Sequence, residues 1–266
     1  MWSGELSTLF RRRRVQALLV VLALVPTAIV LVLRFAGGPD AGEGPTFLNQ
    51  VTNNGVFAAL AALTVTLPFF LPLAVSAVAG DTIAGEAGLG TLRYVLTVPA
   101  GRTRLLAAKA MATAVFCMVA AVVVAAAGLI SGSILFPVGR VTTLSGDTLS
   151  LSSGSVRILA AAGLVGLSLL GLAAIGLFIS TLTDVPVGAI AGTLGVLILS
   201  GVLTALPQLK AVHPWLFTAQ WQSFGDLLRT NVQWSAITKN LEIQAGYVAL
   251  FATAAWARFT TKDILA

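Results

Sequence analysis

Apolar residues come in long blocks along this chain rather than in alternation with polar ones. Five blocks, Val15–Leu33, Val56–Val78, Ala110–Ile130, Ile158–Ile179 and Val187–Leu206, and a shorter sixth, Ile243–Trp256, are separated by segments rich in Gly, Ser, Thr, Asn and charge. About 20 apolar residues in a helix cross a hydrocarbon core about 30 Å thick, whereas a membrane barrel shows segments of about ten alternating residues. The pattern predicts an all-α, polytopic membrane protein with six transmembrane helices. The sixth block reaches full length if Arg258 snorkels to the headgroups. The first, nineteen residues long, exceeds the apolar stretch of about 7–15 residues in a cleavable signal peptide and ends without a small-residue cleavage site, so it reads as a retained span.

The flanks add detail. In "MWSGELSTLFRRRR", Leu6, Leu9 and Phe10 share a helical face, and Glu5 and the arginines are then available to the headgroups. That spacing predicts an interfacial helix over residues 1–14. The segments "AGGPDAGEGPTFLNQVTNNG" and "VTTLSGDTLSLSSGS" predict turns and irregular structure. Neither is long enough for a domain, so residues 1–266 read as one transmembrane unit.

Composition fits this picture: 57% of residues are hydrophobic and the mean hydropathy is +0.95, too apolar for water to be the main solvent. The net charge of +6 does not point to nucleic acid, because Arg11–Arg14 form one run directly before the first block, the signature of a cytoplasmic anchor. With the amino terminus inside, ten basic residues fall on inner segments and six on outer ones. Both termini are therefore expected in the cytoplasm. The twelve Arg and four Lys suit a GC-rich bacterial genome and hence the plasma (inner) membrane. Trp2, Trp215, Trp221, Trp234 and Trp256 all fall at expected interfaces. The single cysteine, Cys117, lies inside an apolar block, which excludes an intrachain disulfide framework.

Several chemistries leave no trace. The chain has no Gly-Lys pair and so no phosphate-binding loop. Gly88 and Gly90 begin a dinucleotide-like pattern whose third glycine is missing. His213, the one histidine, precedes Pro214 with no second ligand-type residue beside it. Ionisable residues are absent from the middle of the spans, which disfavours an ion-coupled carrier or an intramembrane protease. The chain is expected not to be an enzyme and to hold no cofactor or metal of its own.

The unusual segment is Ala79–Ala110, between the second and third blocks, with six charged residues in a chain where charge makes up 10%. If Glu86–Val98 is helical, Leu89, Leu92 and Leu96 share one face, Glu86, Gly90, Arg93 and Thr97 another, and Pro99 supplies a stop. Gly85, Gly88 and Gly90 each cost about 1 kcal/mol relative to Ala, so a bend is expected before a more regular helix from about Leu89.

This segment resembles the membrane subunits of type-2, exporter-like ATP-binding-cassette transporters. The resemblance lies in Asp81-x-Ile83-x-Gly85-Glu86, then Gly90-Thr91-Leu92-Arg93, Pro99, Arg102 or Arg104, and Lys109. The rest of the chain agrees only in outline. The resemblance implies that residues 79–109 form a cytoplasmic coupling loop whose helix, through Glu86, Leu89, Thr91, Leu92, Arg93 and Pro99, rests on a separate ATPase. It implies two ATP-binding-cassette ATPase subunits carrying ATP and magnesium, and a second permease copy or related permease chain. It implies also that residues 207–242 form an external gate of short helices; Phe217, Trp221 and Phe224 share a face there, and Asp226 and Arg229 are spaced to pair. Gly188, Gly192 and Gly195 allow close helix approach, either between two copies or within one chain.

The function so implied is ATP-driven export of a hydrophobic or amphipathic substrate, with membrane lipid as surroundings and no nucleic acid as partner. An alternative is a non-transporting mechanotransmission or envelope-assembly module powered by a partner ATPase; a lipid-modifying enzyme lacks the His, Asp or Glu cluster it would need. The topology is testable directly. Single cysteines at Gly42 and Ser145, in a background lacking Cys117, should react with an impermeant thiol reagent from outside the cell; labelling from the inside alone would reverse the assignment.

Overall fold

The computed structural model describes residues 2–36, 51, 54–90, 101–139, 141–142, 148–149, 151–229 and 231–261. Apart from one small ribbon, its regular structure is helical. The amphipathic amino terminus forms α1 (Trp2–Arg11), which breaks at Arg12 and continues as α2 (Arg13–Ala36). Pro26 lies inside α2 without ending it, as membrane helices permit where neighbours support the freed carbonyl.

The second block is two helices rather than one. A 3₁₀ turn, Gly55–Phe57, capped by the Asn54 side chain accepting from the Val56 N–H at 3.1 Å, leads into α3 (Ala58–Thr66). After the turn at Leu67–Phe69, α4 (Phe70–Gly88) leaves at 58° to it. Pro68 is the cause: it donates no hydrogen bond and its ring clashes with the preceding turn. The third block lies in α5 (Arg102–Leu135), 34 residues and about 51 Å long, so it overshoots a hydrocarbon core of about 30 Å.

Beyond α5, β1 (Val141–Thr142) pairs antiparallel with β2 (Thr148–Leu149), a ribbon where turns alone were expected. The fourth block is split at Leu169 into α6 (Leu151–Ser168) and α7 (Leu170–Leu182). The fifth is α8 (Pro186–Ala205), opened by a proline in its first turn, where a missing N–H costs nothing. Three 3₁₀ helices, Pro207–Leu209, His213–Trp215 and Trp221–Leu228, precede α9 (Trp234–Thr261). At 28 residues, α9 extends past the expected Ile243–Trp256 at both ends.

Four helical stretches, 13–35, 102–135, 153–182 and 186–205, are long and apolar enough to cross a membrane, and the bent pair α3–α4 makes a fifth if taken as one span. The chain has the helices of a multi-pass membrane protein. α9 is long enough but carries Asn240, Glu242, Gln244, Thr253 and Arg258, which lower its apolarity.

The buried α7 is the centre, packed against α4, α8 and α9, while α5 receives α2, α3 and α6. α4 and α8 approach closely at Gly80, where an added Cβ would lie 2.9 Å from the Ile190 amide nitrogen. The glycines expected to pack helices behave differently. Gly192 faces Ile179, but an added Cβ would meet nothing nearer than 3.8 Å at Gly188 and nothing within 4 Å at Gly195. Gly80→Val should therefore lower stability by about 1–3 kcal/mol through overpacking, whereas Gly195→Ala should be neutral or stabilising, as read by thermal unfolding in detergent.

Candidate functional site

The starts of α2, α5 and α8 and the ends of α4, α7 and α9 meet at one end of the bundle, which also carries the arginine run. Arg102, in the first turn of α5, donates to the Thr260 carbonyl near the end of α9 at 2.9 Å. Trp256 Nε1 donates to Thr103 Oγ1 at 3.1 Å.

The last turns of α4, "GDTIAGEAG", hold three glycines and two carboxylates. A sequence so poor in helix propensity is steadied from outside. Ser180 of α7 accepts from the Ile83 and Ala84 amides at 3.1 and 2.9 Å and donates to the Gly80 carbonyl at 2.7 Å. The helix stops when Leu89 N–H returns to the Gly85 carbonyl and Gly90 N–H to that of Ala87. Gly90 has φ +68°, a left-handed conformation that glycine adopts without steric cost.

Against this helix end lies a chain of alternating charges. Lys109 of α5 is 2% exposed, with Nζ 2.6 Å from Glu86 Oε1 and 3.6 Å from Glu5 Oε2. Arg12, at the break between α1 and α2, reaches Asp81 Oδ2 at 3.2 Å and Glu86 Oε1 at 3.6 Å. The order Asp81, Arg12, Glu86, Lys109, Glu5 alternates in sign and joins four segments. Beside it a cleft of about 590 Å³ is lined by Arg12, Arg13, Arg14, Asp81, Glu86 and Pro186, among others. An ammonium buried to this degree is tolerated because its partner is close and hydrogen-bonded. Such an arrangement can fasten helix ends to one another and pass a displacement of one to the rest.

The expected site residues divide. Glu86 belongs to α4, which ends at Gly88, and it faces the chain's own Lys109. Leu89 is 79% exposed just beyond α4. Thr91, Leu92, Arg93 and Pro99 lie outside the described residues. Of the expected segment 79–109, residues 79–88 belong to α4 and 102–109 to α5. Glu5 and Arg12 turn inward rather than to headgroups, because α1 presents Glu5, Leu6, Leu9 and Phe10 to the bundle. The sequence signal for the cluster was Lys109 itself: a lysine within "LLAAKAMATAV" needs a carboxylate from elsewhere.

At the opposite end, Phe217, Trp221 and Phe224 are buried, with Phe217 edge-on to both Trp221 and Tyr247. Trp221 thus lies in the core, not in a lipid interface, unlike the exposed Trp215, Trp234 and Trp256. Asp226 and Arg229 pair at 2.8 Å, as their spacing predicts. Arg157 of α6 donates to the Leu227 and Arg229 carbonyls. Sequence reasoning missed Gln244 of α9, which donates to the Phe217 carbonyl at 2.7 Å and accepts from the Gly171 amide at 3.1 Å. Residues 234–242, expected in the gate, are the first turns of α9.

The chain belongs to a family described as a protein of unknown function, DUF2705, whose model matches residues 17–265. None of the curated proteins compared with it matches.

Lys109→Ala takes away the close partner of an inward-facing carboxylate and should cost about 3–5 kcal/mol. Lys109→Met combined with Glu86→Gln removes both charges and should be less destabilised than the two single variants summed. Thermal unfolding of the four proteins in one detergent gives the coupling; strict additivity would show that the pair does not fasten α4 to α5.

Proposed function

We propose that this chain is the membrane-spanning subunit of an ATP-driven transporter of the type-2, exporter-like ATP-binding-cassette kind, moving a hydrophobic or amphipathic substrate. The arginine end is then cytoplasmic, and α9 is a sixth crossing. Two observations support that crossing: Thr260, near the end of α9, meets Arg102, while Tyr247 donates to the Trp215 carbonyl in the segment at the other end.

The observation that carries the reading is the convergence of ion pairs where α4 and α5 meet the loop between them. In this reading the loop, 89–101, rests on a separate ATPase that binds ATP and magnesium. When two ATPase subunits close on nucleotide, the loop moves with them. The pair Glu86–Lys109 makes the ends of α4 and α5 move together, Arg12 and Glu5 carry α1 and α2 along, and Ser180 carries α7. Tilting of these helices exposes the substrate path alternately to the two sides, so that affinity differs between them. At the far end Phe217, Trp221 and Phe224 form the apolar plug that opens last. The second permease is a further copy or a related chain.

The experiment is co-purification of the tagged chain from its native membrane, which should bring an ATPase with it, while the chain alone hydrolyses no ATP. In proteoliposomes of the complex, Leu92→Asp and Arg93→Glu should lower transport about fivefold or more, or uncouple it from hydrolysis, with insertion intact. Matched changes at Asp40 and Glu43 should do little. Unchanged transport and hydrolysis in the folded Leu92→Asp and Arg93→Glu complexes would sink the coupling reading.

A further inference from the structure

A second cavity lies away from the ion pairs, on the flank formed by α5, α7 and α9. Its volume is about 430 Å³, within the range of about 300–1,000 Å³ typical of small-molecule sites. Leu170, Ala173 and Leu177 of α7 form the floor, and Ala107 and Met111 of α5 and Val248 and Trp256 of α9 form the rims. The floor is buried or half-buried, while Met111 and Trp256 are about half exposed, so the cavity is a cleft open to the side. Trp256 to Val248 covers about 12 Å of helix, a little less than half of a hydrocarbon core of about 30 Å. The cleft therefore faces one leaflet, that of the arginine end.

The lining decides what can fill it. Its polar side chains are Thr103, Thr113 and the Trp256 indole, and each already has a partner. Thr113 donates to the Lys109 carbonyl at 3.0 Å, and Trp256 Nε1 donates to Thr103 Oγ1 across the two rims. An ordered water needs about 2–4 polar partners, and this lining offers only the remaining capacity of two threonine hydroxyls on an otherwise apolar wall. An empty cleft would forfeit dispersion contacts along its whole wall. Hydrocarbon fits both conditions.

The mouth has a charge to match. Arg104 is exposed and lies on the same helical stripe as Ala107 and Met111, three and seven residues on. Arg102 and Arg258 stand at the same end of α5 and α9. Residues 101–119 and 243–261 contain no Asp or Glu, so neither stretch places a carboxylate beside the exposed Arg104. We propose that the cleft between α5, α7 and α9 is a binding site for an anionic phospholipid, one acyl chain lying on α7 and the phosphate held at Arg104. The site is independent of the transport reading and requires only that the bundle sit in a bilayer.

Trp256 reports on it directly. The protein is reconstituted into phosphatidylcholine vesicles with a small fraction of lipid brominated in its chains, either phosphatidylglycerol or phosphatidylcholine, and the Trp256 signal is taken as the difference from Trp256→Phe. Brominated phosphatidylglycerol should quench at a mole fraction about fivefold lower than brominated phosphatidylcholine, the preference expected of one basic residue at an anionic headgroup. Arg104→Glu, on the exposed surface, should abolish that preference, and Ala110→Phe, which fills the cleft, should reduce quenching by both lipids. Equal quenching by both lipids in the unaltered protein would overturn the headgroup assignment. Quenching that tracks the bulk fraction, unaltered by Ala110→Phe, would overturn the site.

Discussion

The ammonium of Lys109, 2% exposed and 2.6 Å from the Glu86 carboxylate, ties the ends of α4 and α5 together and draws α1 to them through Glu5. Moving such a group out of water costs several kcal/mol unless a carboxylate and further hydrogen bonds meet it, so the partner must be in place whenever the helices are packed. Together with the Ser180 bonds, that requirement favours a helix unbroken past Gly80 and Gly85, since the register of α4 sets where Glu86 meets α5. It also explains the amino terminus. α1 turns Glu5 toward Lys109, and the chain breaks at Arg12 so that the guanidinium can reach Asp81 and Glu86. An amphipathic segment that could have lain free on a membrane surface is held instead at one place on the bundle.

The spans were legible because hydrophobicity along a helix is a local property. The blocks beginning at Val15, Ala110 and Val187 lie in α2, α5 and α8, and the amphipathic spacing of Leu6, Leu9 and Phe10 became the half-buried side of α1. The block Val56–Val78 was legible as apolar but not as bent, since a hydropathy average passes over Pro68, whose effect on the backbone is steric. The expected sixth block begins only at Ile243 because Lys239, Asn240 and Glu242 interrupt the apolar run before it, whereas α9 runs through them: Asn240 and Gln244 are buried and spend their amides on Ser168, Gly171 and Phe217.

The ion pairs were the least legible part. Arg12 and Asp81 are 69 residues apart, and Glu86 and Lys109 are 23 apart; which carboxylate meets which cation depends on the register of helices against one another, and no local pattern encodes that. The same holds for the glycines. Gly188-x-x-x-Gly192 has the spacing of a packing motif, yet the close approach to the α8 backbone is made at Gly80 of α4, where an added Cβ would lie 2.9 Å from the Ile190 amide nitrogen. Spacing describes one helix, while close approach is a property of two.

The two ends of the bundle are joined through α7. At one end Ser180 bonds three backbone groups of α4; at the other, the Gly171 amide is taken by Gln244, whose own amide holds the Phe217 carbonyl of the aromatic segment. Contiguity alone transmits nothing, because a path couples two sites only if its parts have two arrangements that both sites bias. What distinguishes α7 is the kind of fastening at each end: side-chain hydrogen bonds to backbone atoms within a buried, apolar environment, where an unmade bond is costly. A partial shift of α4 would leave Ser180 or the Ile83 and Ala84 amides without partners, so the low-energy response is for α7 to follow as a body. A tilt of α7 is in turn opposed at Gly171 unless Gln244, and with it Phe217, moves as well. The aromatic cluster is thereby tied to the charged end by satisfied hydrogen bonds at both ends of one helix.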